Sequence, residues 1–146
     1  MSDINYEALD EALEYIEYIE EAKTPEEKQR IKDAKGLIKS IRNAIADYLT
    51  DNEVYDISVT ANPISAVKFK KGKSNSINYT IVDRAGVASA MNGYGPSKES
   101  RVNSEKKDRL MSKTSDVEKA ISKACSGHKF KCSYNRNSDT LTVEVD

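Results

Sequence analysis

The sequence predicts an α+β protein, and three observations carry that assignment. Over the first third of the chain, apolar residues recur three and four apart, the period of a helix face. From Tyr55 onward they recur two apart, the period of a strand, in short runs separated by Gly, Asn and Ser. A single capped helical segment then interrupts the strands before a last alternating pair. In order, this gives an N-terminal α-hairpin (1–52), a small antiparallel β-meander, one further helix and a C-terminal β-hairpin. The 146 residues amount to one domain, with residues 53–146 forming its β-core.

The first arm of the hairpin carries Tyr6, Leu9, Leu13, Ile16 and Ile19 on one face and glutamates on the other. Tyr15 and Tyr18 fall off that stripe, so a second surface is expected to meet a partner chain. Thr24-Pro25-Glu26-Glu27 reads as a capping box: Thr24 is the N-cap, Pro25 sits at the first helical position, and Glu27 reaches back. The second helix then presents Ile31, Ala34, Ile38, Ile41, Ala44, Ile45, Tyr48 and Leu49, and ends near Asp51 and Asn52. Tyr55, Ile57, Val59 and Ala61 alternate in a first strand that Asn62-Pro63 breaks. Val67 and Phe69 suggest a second strand, Ile77, Tyr79 and Ile81 a third. Val87, Ser89 and Met91 suggest a fourth, after a turn at Arg84-Ala85-Gly86. Residues 92–97 hold two glycines, a proline and an asparagine, which excludes helix and regular strand. Ser115-Asp116-Val117-Glu118 reads as another capping box, opening a helix with Val117, Ala120, Ile121 and Ala124 that stops before Gly127. Phe130, Cys132 and Tyr134, then Leu141, Val143 and Val145, form the closing hairpin.

Composition narrows the function classes. Hydrophobic residues make up 38% and charged residues 32%, polar for a folded domain but not disordered. No apolar run approaches the roughly 18 residues of a membrane span, and the acidic start lacks the basic and apolar regions of a signal peptide, so a cytoplasmic protein is expected. Cys125, Cys132 and His128 cannot close a tetrahedral zinc site from one chain. Cys125 falls on the apolar side of the helix and Cys132 alternates with Phe130 and Tyr134, so both read as core cysteines. One histidine without a nucleophile motif argues against an enzyme, and neither metal nor cofactor is expected.

The net charge of −1 conceals a split, with 14 acidic and 7 basic residues in 1–54 and 10 acidic and 16 basic in 55–146. Such asymmetry points to an anionic partner for the basic half. It also allows the acidic half to dock on another copy. The loop 92–97 and the segment behind it hold the candidate site. Gly93 and Gly95 expose main-chain N–H groups, which in a turn can form a nest for anions. Asn92 can read a base edge or a ribose hydroxyl, Tyr94 can stack on a base, and Ser97 lies at the loop's end. Lys98, Arg101, Lys106, Lys107 and Arg109 supply positive charge and forked donors. This set suits a nucleotide or small phosphodiester better than a metal or an acyl substrate. A second basic patch, Lys68, Lys70, Lys71 and Lys73, reads as lysine protection of a strand edge, with a nucleic-acid backbone as the alternative.

At Asn92-Gly93-Tyr94-Gly95-Pro96-Ser97-Lys98-Glu99-Ser100-Arg101, leading to Arg109, and with its helices preceding a small β-core, the chain resembles the first-described family of phage Thoeris anti-defence proteins. These are small sponges that sequester a cyclic ADP-ribose isomer made by a TIR-domain enzyme. The resemblance implies binding without turnover in the host cytoplasm. Asn92 and Arg109 look like the family's ligand-contacting asparagine and arginine: Arg109 would pair with the phosphates, the glycine loop would donate N–H groups, Asn92 would bond a ribose or base, and Tyr94 would stack. It also implies a homo-oligomer, a dimer or larger, with sites between subunits, and a basic residue from the second helix, for which Lys28, Arg30 and Arg42 are available. The competing reading is a small inhibitor of a protein or nucleic acid, a DNA mimic or anti-CRISPR-like protein, built on the eight carboxylates of residues 1–22.

Overall fold

The computed structural model describes residues 24–62, 64–70, 73–93, 95 and 97–146. The expected first helix, its apolar stripe and its two off-stripe tyrosines lie outside the described residues. The second arm of the hairpin is helix α1 (Pro25–Asp51), and its start follows the sequence signal: the Thr24 hydroxyl accepts from the Glu27 N–H at 3.1 Å, with Pro25 opening the first turn. Seven of its expected face residues, Ile31, Ala34, Ile38, Ile41, Ala44, Ile45 and Leu49, are buried, and Tyr48 is half-buried. The helix stops where Asn52 folds back, its side chain donating to the Tyr48 carbonyl at 2.7 Å.

Four strands form one antiparallel sheet in the order β1-β2-β4-β3: β1 (Ile57–Ala61), β2 (Asn75–Asp83), β3 (Phe130–Asn135) and β4 (Thr140–Val145). β2 and β4 occupy the centre, so their alternating apolar residues Ile77, Tyr79, Ile81, Leu141, Val143 and Val145 are all buried. Together with α1 they make the main core, and the Tyr79 hydroxyl finishes it by donating to the Ile38 carbonyl at 2.8 Å. On the opposite face of the sheet, Ser76, Asn78, Thr80, Lys131 and Ser133 are exposed.

Two expected strands are helices instead. Residues Ile64–Lys68 form a short helix, α2, rather than a strand through Val67 and Phe69. Asn62-Pro63 is as good a helix start as a strand break, and the Asn62 carbonyl accepts from the Ser65 N–H at 3.1 Å. Residues Arg84–Met91 form helix α3, in place of a strand through Val87, Ser89 and Met91. Asp83 caps it, its carboxylate accepting from the Ala85 N–H at 3.0 Å, and Ala85, Ala88 and Ala90 are strong helix formers. The meander therefore reduces to the β1–β2 pair.

The charged segment behind the loop is a 15-residue helix, α4 (Lys98–Ser112), an element that the apolar spacing does not predict. Its Ser97 cap accepts from the Ser100 N–H at 3.1 Å. Its inward positions are Ser100, Lys107, Leu110 and Met111, a true helical face of which half is polar. Helix α5 (Thr114–Ala124) follows after the single residue Lys113 and packs Val117 and Ile121 into the core. It starts one residue ahead of the expected capping box, with no side-chain cap. Glu118 instead accepts from the Cys132 N–H of β3 at 2.8 Å.

Candidate functional site

Helix α4 decides where each candidate side chain stands. Asn92, Gly93 and Gly95 are exposed in the turn before it, and Gly93 has a φ of +79°, the left-handed conformation that glycine adopts without strain. Tyr94 lies outside the described residues. The Ser97 hydroxyl is occupied as the helix cap, while Lys98 and Arg101 are exposed on the first turn. Arg109 is also exposed, but it stands eleven residues beyond Lys98, which at 1.5 Å per residue places it about 16 Å further along the helix. Within one chain, the glycine loop and Arg109 therefore occupy opposite ends of α4 and are not brought to one point.

Two of the five cations in this segment are engaged internally. Lys106 reaches the Glu53 carboxylate at 3.7 Å, close to its backbone carbonyl, and ties α4 to the end of α1. Lys107 is buried, 1% exposed, which removes it from any ligand surface. Its ammonium meets the Asp108 carboxylate at 2.8 Å, Asp139 at 2.7 Å and the Tyr134 hydroxyl at 3.0 Å, so three donors find three acceptors. The Tyr134 hydroxyl donates in turn to Asp108 at 2.6 Å. Burial alone would depress the lysine, but the hydrogen bonds to Asp108, Asp139 and Tyr134 outweigh it and hold Lys107 above the ordinary lysine range. Burial opposes ionisation of Asp108 as well, yet Lys107 and Tyr134, with Arg136 nearby, hold its carboxyl below the usual range. Burial and the bond to Asp108 push the Tyr134 hydroxyl up to about 12.

Beside this network lies a recess of about 580 Å³, lined by Glu105, Arg109, Ser112, Lys113 and Arg136. Three cations face one carboxylate there. Glu105, Arg109, Ser112 and Lys113 follow one face of α4 and its end, and Arg136 comes across from the β3–β4 turn. Arg109 belongs to the predicted set, whereas Lys113 and Arg136 do not. A larger groove, about 810 Å³, runs along the start of α1 beside Ala34, Leu37, Phe69 and His128. Both volumes fall in the range of ligand pockets, so the lining must discriminate. In the larger groove the walls are mainly apolar, and Arg30 is spent on the Phe69 carbonyl at 2.8 Å. Of the two, the recess on α4 offers several cations to an anion.

The remaining candidates resolve structurally. Arg42 donates to the Val59 carbonyl at 2.7 Å and Lys28 is exposed, so of the three basic residues singled out on this helix, Lys28, Arg30 and Arg42, two are bound to backbone carbonyls. Lys68 sits in α2 and Lys70 and Lys73 in the following loop, which Asn75 closes with bonds to Lys70 and Lys73; the expected lysine-protected strand is not formed. Cys125 and Cys132 are buried and unpaired. Burial raises both thiols, Cys132 to about 12 with the Glu118 carboxylate adding to the effect, so neither is a thiolate at neutral pH. Among the described residues no group of three or more His, Cys, Asp or Glu side chains could hold a metal ion, and no helix is long and apolar enough to cross a membrane. No protein-family model, curated protein or solved structure matches this chain.

Proposed function

We propose that this chain is a phage anti-defence sponge, which binds a cyclic ADP-ribose-type signalling nucleotide without degrading it and so blocks Thoeris immunity. The observation that carries the reading is the recess at the end of α4, which Arg109, Lys113 and Arg136 line together with Glu105, and where Asp108 lies 4.0 Å from the Arg136 Nε. Forked guanidinium donors suit phosphate oxygens. Gly93 and Gly95, exposed before α4, offer main-chain N–H groups, and Asn92 beside them offers both a donor and an acceptor.

The length of α4 bears on assembly. A ligand touched by both Arg109 and the glycine loop would need the loop of a second copy, because about 16 Å of helix separates them in one chain. A dimer or larger homo-oligomer with sites between subunits follows from that reading, and the opposed charge of the two halves supports it. Sequestration demands affinity and abundance rather than turnover. Nanomolar binding, about −12 kcal/mol, is enough to hold a signal below its receptor's threshold when the protein is in excess.

The test is calorimetric titration with cyclic ADP-ribose isomers and cyclic oligonucleotides, followed by denaturation and mass spectrometry of the released small molecule. Tight binding with intact recovery supports the sponge. A cleaved product makes the protein an enzyme, and absence of binding overturns the reading. Arg109→Ala should abolish binding with the melting temperature nearly unchanged; unaltered affinity would remove Arg109 from the site.

A further inference from the structure

We infer that Arg42 and Glu118 close the two open edges of the sheet against a further strand, and that β3, once its edge is freed, pairs antiparallel with β3 of a second copy. This holds whichever ligand the protein binds. In the order β1-β2-β4-β3 the outer strands are β1 and β3, and each has one side of its main chain that no neighbouring strand takes. In an antiparallel pair, alternate residues turn their N–H and C=O toward the partner and the others turn them away. The phase on β3 is set by the Asp146 N–H, which donates to the Lys129 carbonyl at 3.0 Å. Lys131, Ser133 and Asn135 follow that phase and face β4, so Phe130, Cys132 and Tyr134 present their main-chain groups at the open edge. On β1 the Asn62 N–H donates to the Asn78 carbonyl and the Arg84 N–H to the Asp56 carbonyl, each at 3.0 Å. Ser58 and Thr60 therefore face β2, while Ile57, Val59 and Ala61 face outward.

At each edge the middle one of the three outward residues is taken by a charged side chain from a helix. Arg42 of α1 sets its Nε on the Val59 carbonyl at 2.7 Å, and Glu118 of α5 accepts from the Cys132 N–H at 2.8 Å. The signs are matched, a cation on the carbonyl and a carboxylate on the N–H, so both bonds are charge-assisted. A strand adding at either edge needs that same central group and has to displace the guard to reach it. Open edges are otherwise templates for pairing with another chain. Glu118 belongs to the Ser115 capping box of the sequence, and Arg42 to the cations available for a ligand. Both serve the sheet edges instead.

Of the two edges, β3 is the one that fits a copy of itself. Antiparallel pairing about Cys132 sets Phe130 of each copy opposite Tyr134 of the other, which makes two aromatic cross-strand pairs. The same pairing of β1 about Val59 sets only Ile57 opposite Ala61. Pairing through β3 also brings the two Cys132 α-carbons to about 5.5 Å, within reach of a disulfide. With Glu118 in place that pairing is blocked at its centre, and assembly of the intact protein is left to surfaces other than the strand edges.

The experiment compares the full chain with Glu118→Ala and with Glu118→Gln, which keeps an acceptor oxygen for the Cys132 N–H. Sedimentation over a concentration series should show Glu118→Ala forming a species of twice the parent's mass, while Glu118→Gln matches the parent. Amide exchange then locates the contact. In dilute Glu118→Ala the Cys132 N–H should exchange roughly tenfold faster than in the parent, the loss of about one hydrogen bond. At high concentration protection should return at Phe130, Cys132 and Tyr134 together, with Lys131 and Ser133 unchanged because they already face β4. Oxidation with copper-phenanthroline should cross-link that variant through Cys132 and leave the parent, whose Cys132 is buried, uncross-linked. A Glu118→Ala chain with the parent's mass at every concentration, or one that associates with no change at those three amides, would overturn the inference. Equal association of Glu118→Gln would overturn the role given to the bond. Should Glu118→Ala unfold, Arg42→Met, at an exposed side chain on the other edge, carries the test. Added mass with new protection at Ile57, Val59 and Ala61 would support edge closure, and an unchanged mass would reject it.

Discussion

Helices α1 and α4 lie against the same small sheet and are held there by opposite means. α1 buries seven aliphatic side chains, from Ile31 to Leu49, and its directed ties run to or from backbone carbonyls: Arg30 to Phe69, Arg42 to Val59, and the Tyr79 hydroxyl to Ile38. α4 buries Ser100 and Lys107 before reaching Leu110 and Met111. Much of its attachment is polar: Asn103 bonds both the N–H and the carbonyl of Tyr55, Lys106 reaches Glu53, and Lys107 enters its carboxylate network. Apolar burial is non-directional and tolerates small errors of position. A buried charge must have every partner in place or its desolvation goes uncompensated. The helix that borders the recess is therefore the one whose place depends on a buried charge finding its partners.

That contrast is broken most severely at Lys107. Lys107→Ala should destabilise the fold by about 3 kcal/mol, the low end for one partner of a buried pair because Asp139 is 39% exposed and partly screened. Ile41→Ala on α1 should cost a similar ~2–5 kcal/mol for a different reason, an unfilled cavity. Urea denaturation measures both, and a second change separates them. Adding Asp108→Asn to Lys107→Met should recover part of the loss, since it removes one of the two carboxylates left without their partner, while no charge change rescues Ile41→Ala. A Lys107→Ala variant as stable as the parent would show that the network contributes nothing to holding α4.

The pH dependence of stability sharpens the same comparison. An unfolded tyrosine ionises near pH 10, whereas Tyr134 in the fold ionises at about 12. Between these values the folded chain keeps a proton that the unfolded chain has lost, so stability falls as pH rises. Lys107, also raised, acts in the same sense: its contribution is complete below roughly pH 10 and is lost above it. Asp108 is lowered, so its contribution is present above about pH 4 and disappears as the solution is acidified further. Unfolding midpoints should form a plateau through neutral pH with losses at both ends, and Tyr134→Phe should reduce the alkaline slope. An alkaline limb unchanged by Tyr134→Phe would assign it to other groups, the buried Cys132 and Tyr79 among them.

How much of this is legible in the sequence follows from what apolar periodicity can detect. The α1 face and its Thr24 cap and the closing hairpin depend on apolar spacing or on a cap motif and form as expected; β1 forms through Ile57, Val59 and Ala61, while Tyr55, expected in the same strand, stands outside it and is exposed. α4 is not legible because two of its four buried positions are Ser and Lys, residues that hydropathy reads as outward. α2 and α3 read as strands because pairs of alternating residues a few positions long fit either period, and a nearby Asn-Pro or Asp cap decides for helix. Arg109 is legible as a cation behind a glycine loop. Arg136 is not, since it enters the recess from a turn distant in sequence and only the sheet register brings it there. Lys107 reads as one more ligand-facing charge; nothing in its spacing distinguishes a buried lysine from its exposed neighbours Lys98 and Arg109.

The smallest of the expected effects is also the most local. Ser100 donates its hydroxyl to the Asp83 carboxylate, and Asp83 accepts in addition from the Ala85 N–H. One buried carboxylate thereby joins the end of β2, the start of α3 and the first turn of α4. Ser100→Ala leaves one Asp83 oxygen without its donor at a site only 6% exposed, which should cost about 1–3 kcal/mol. Because the tie is local, the loss should appear first as faster amide exchange in α3 and in the first turn of α4, with α1 and the central strands unaffected. Uniform acceleration across the whole chain would mean instead that Ser100 supports the global fold. If the glycine loop takes part in ligand capture, the same variant should weaken cyclic nucleotide binding. Unchanged nucleotide binding would show that the tie between Ser100 and Asp83 does not position the loop for capture.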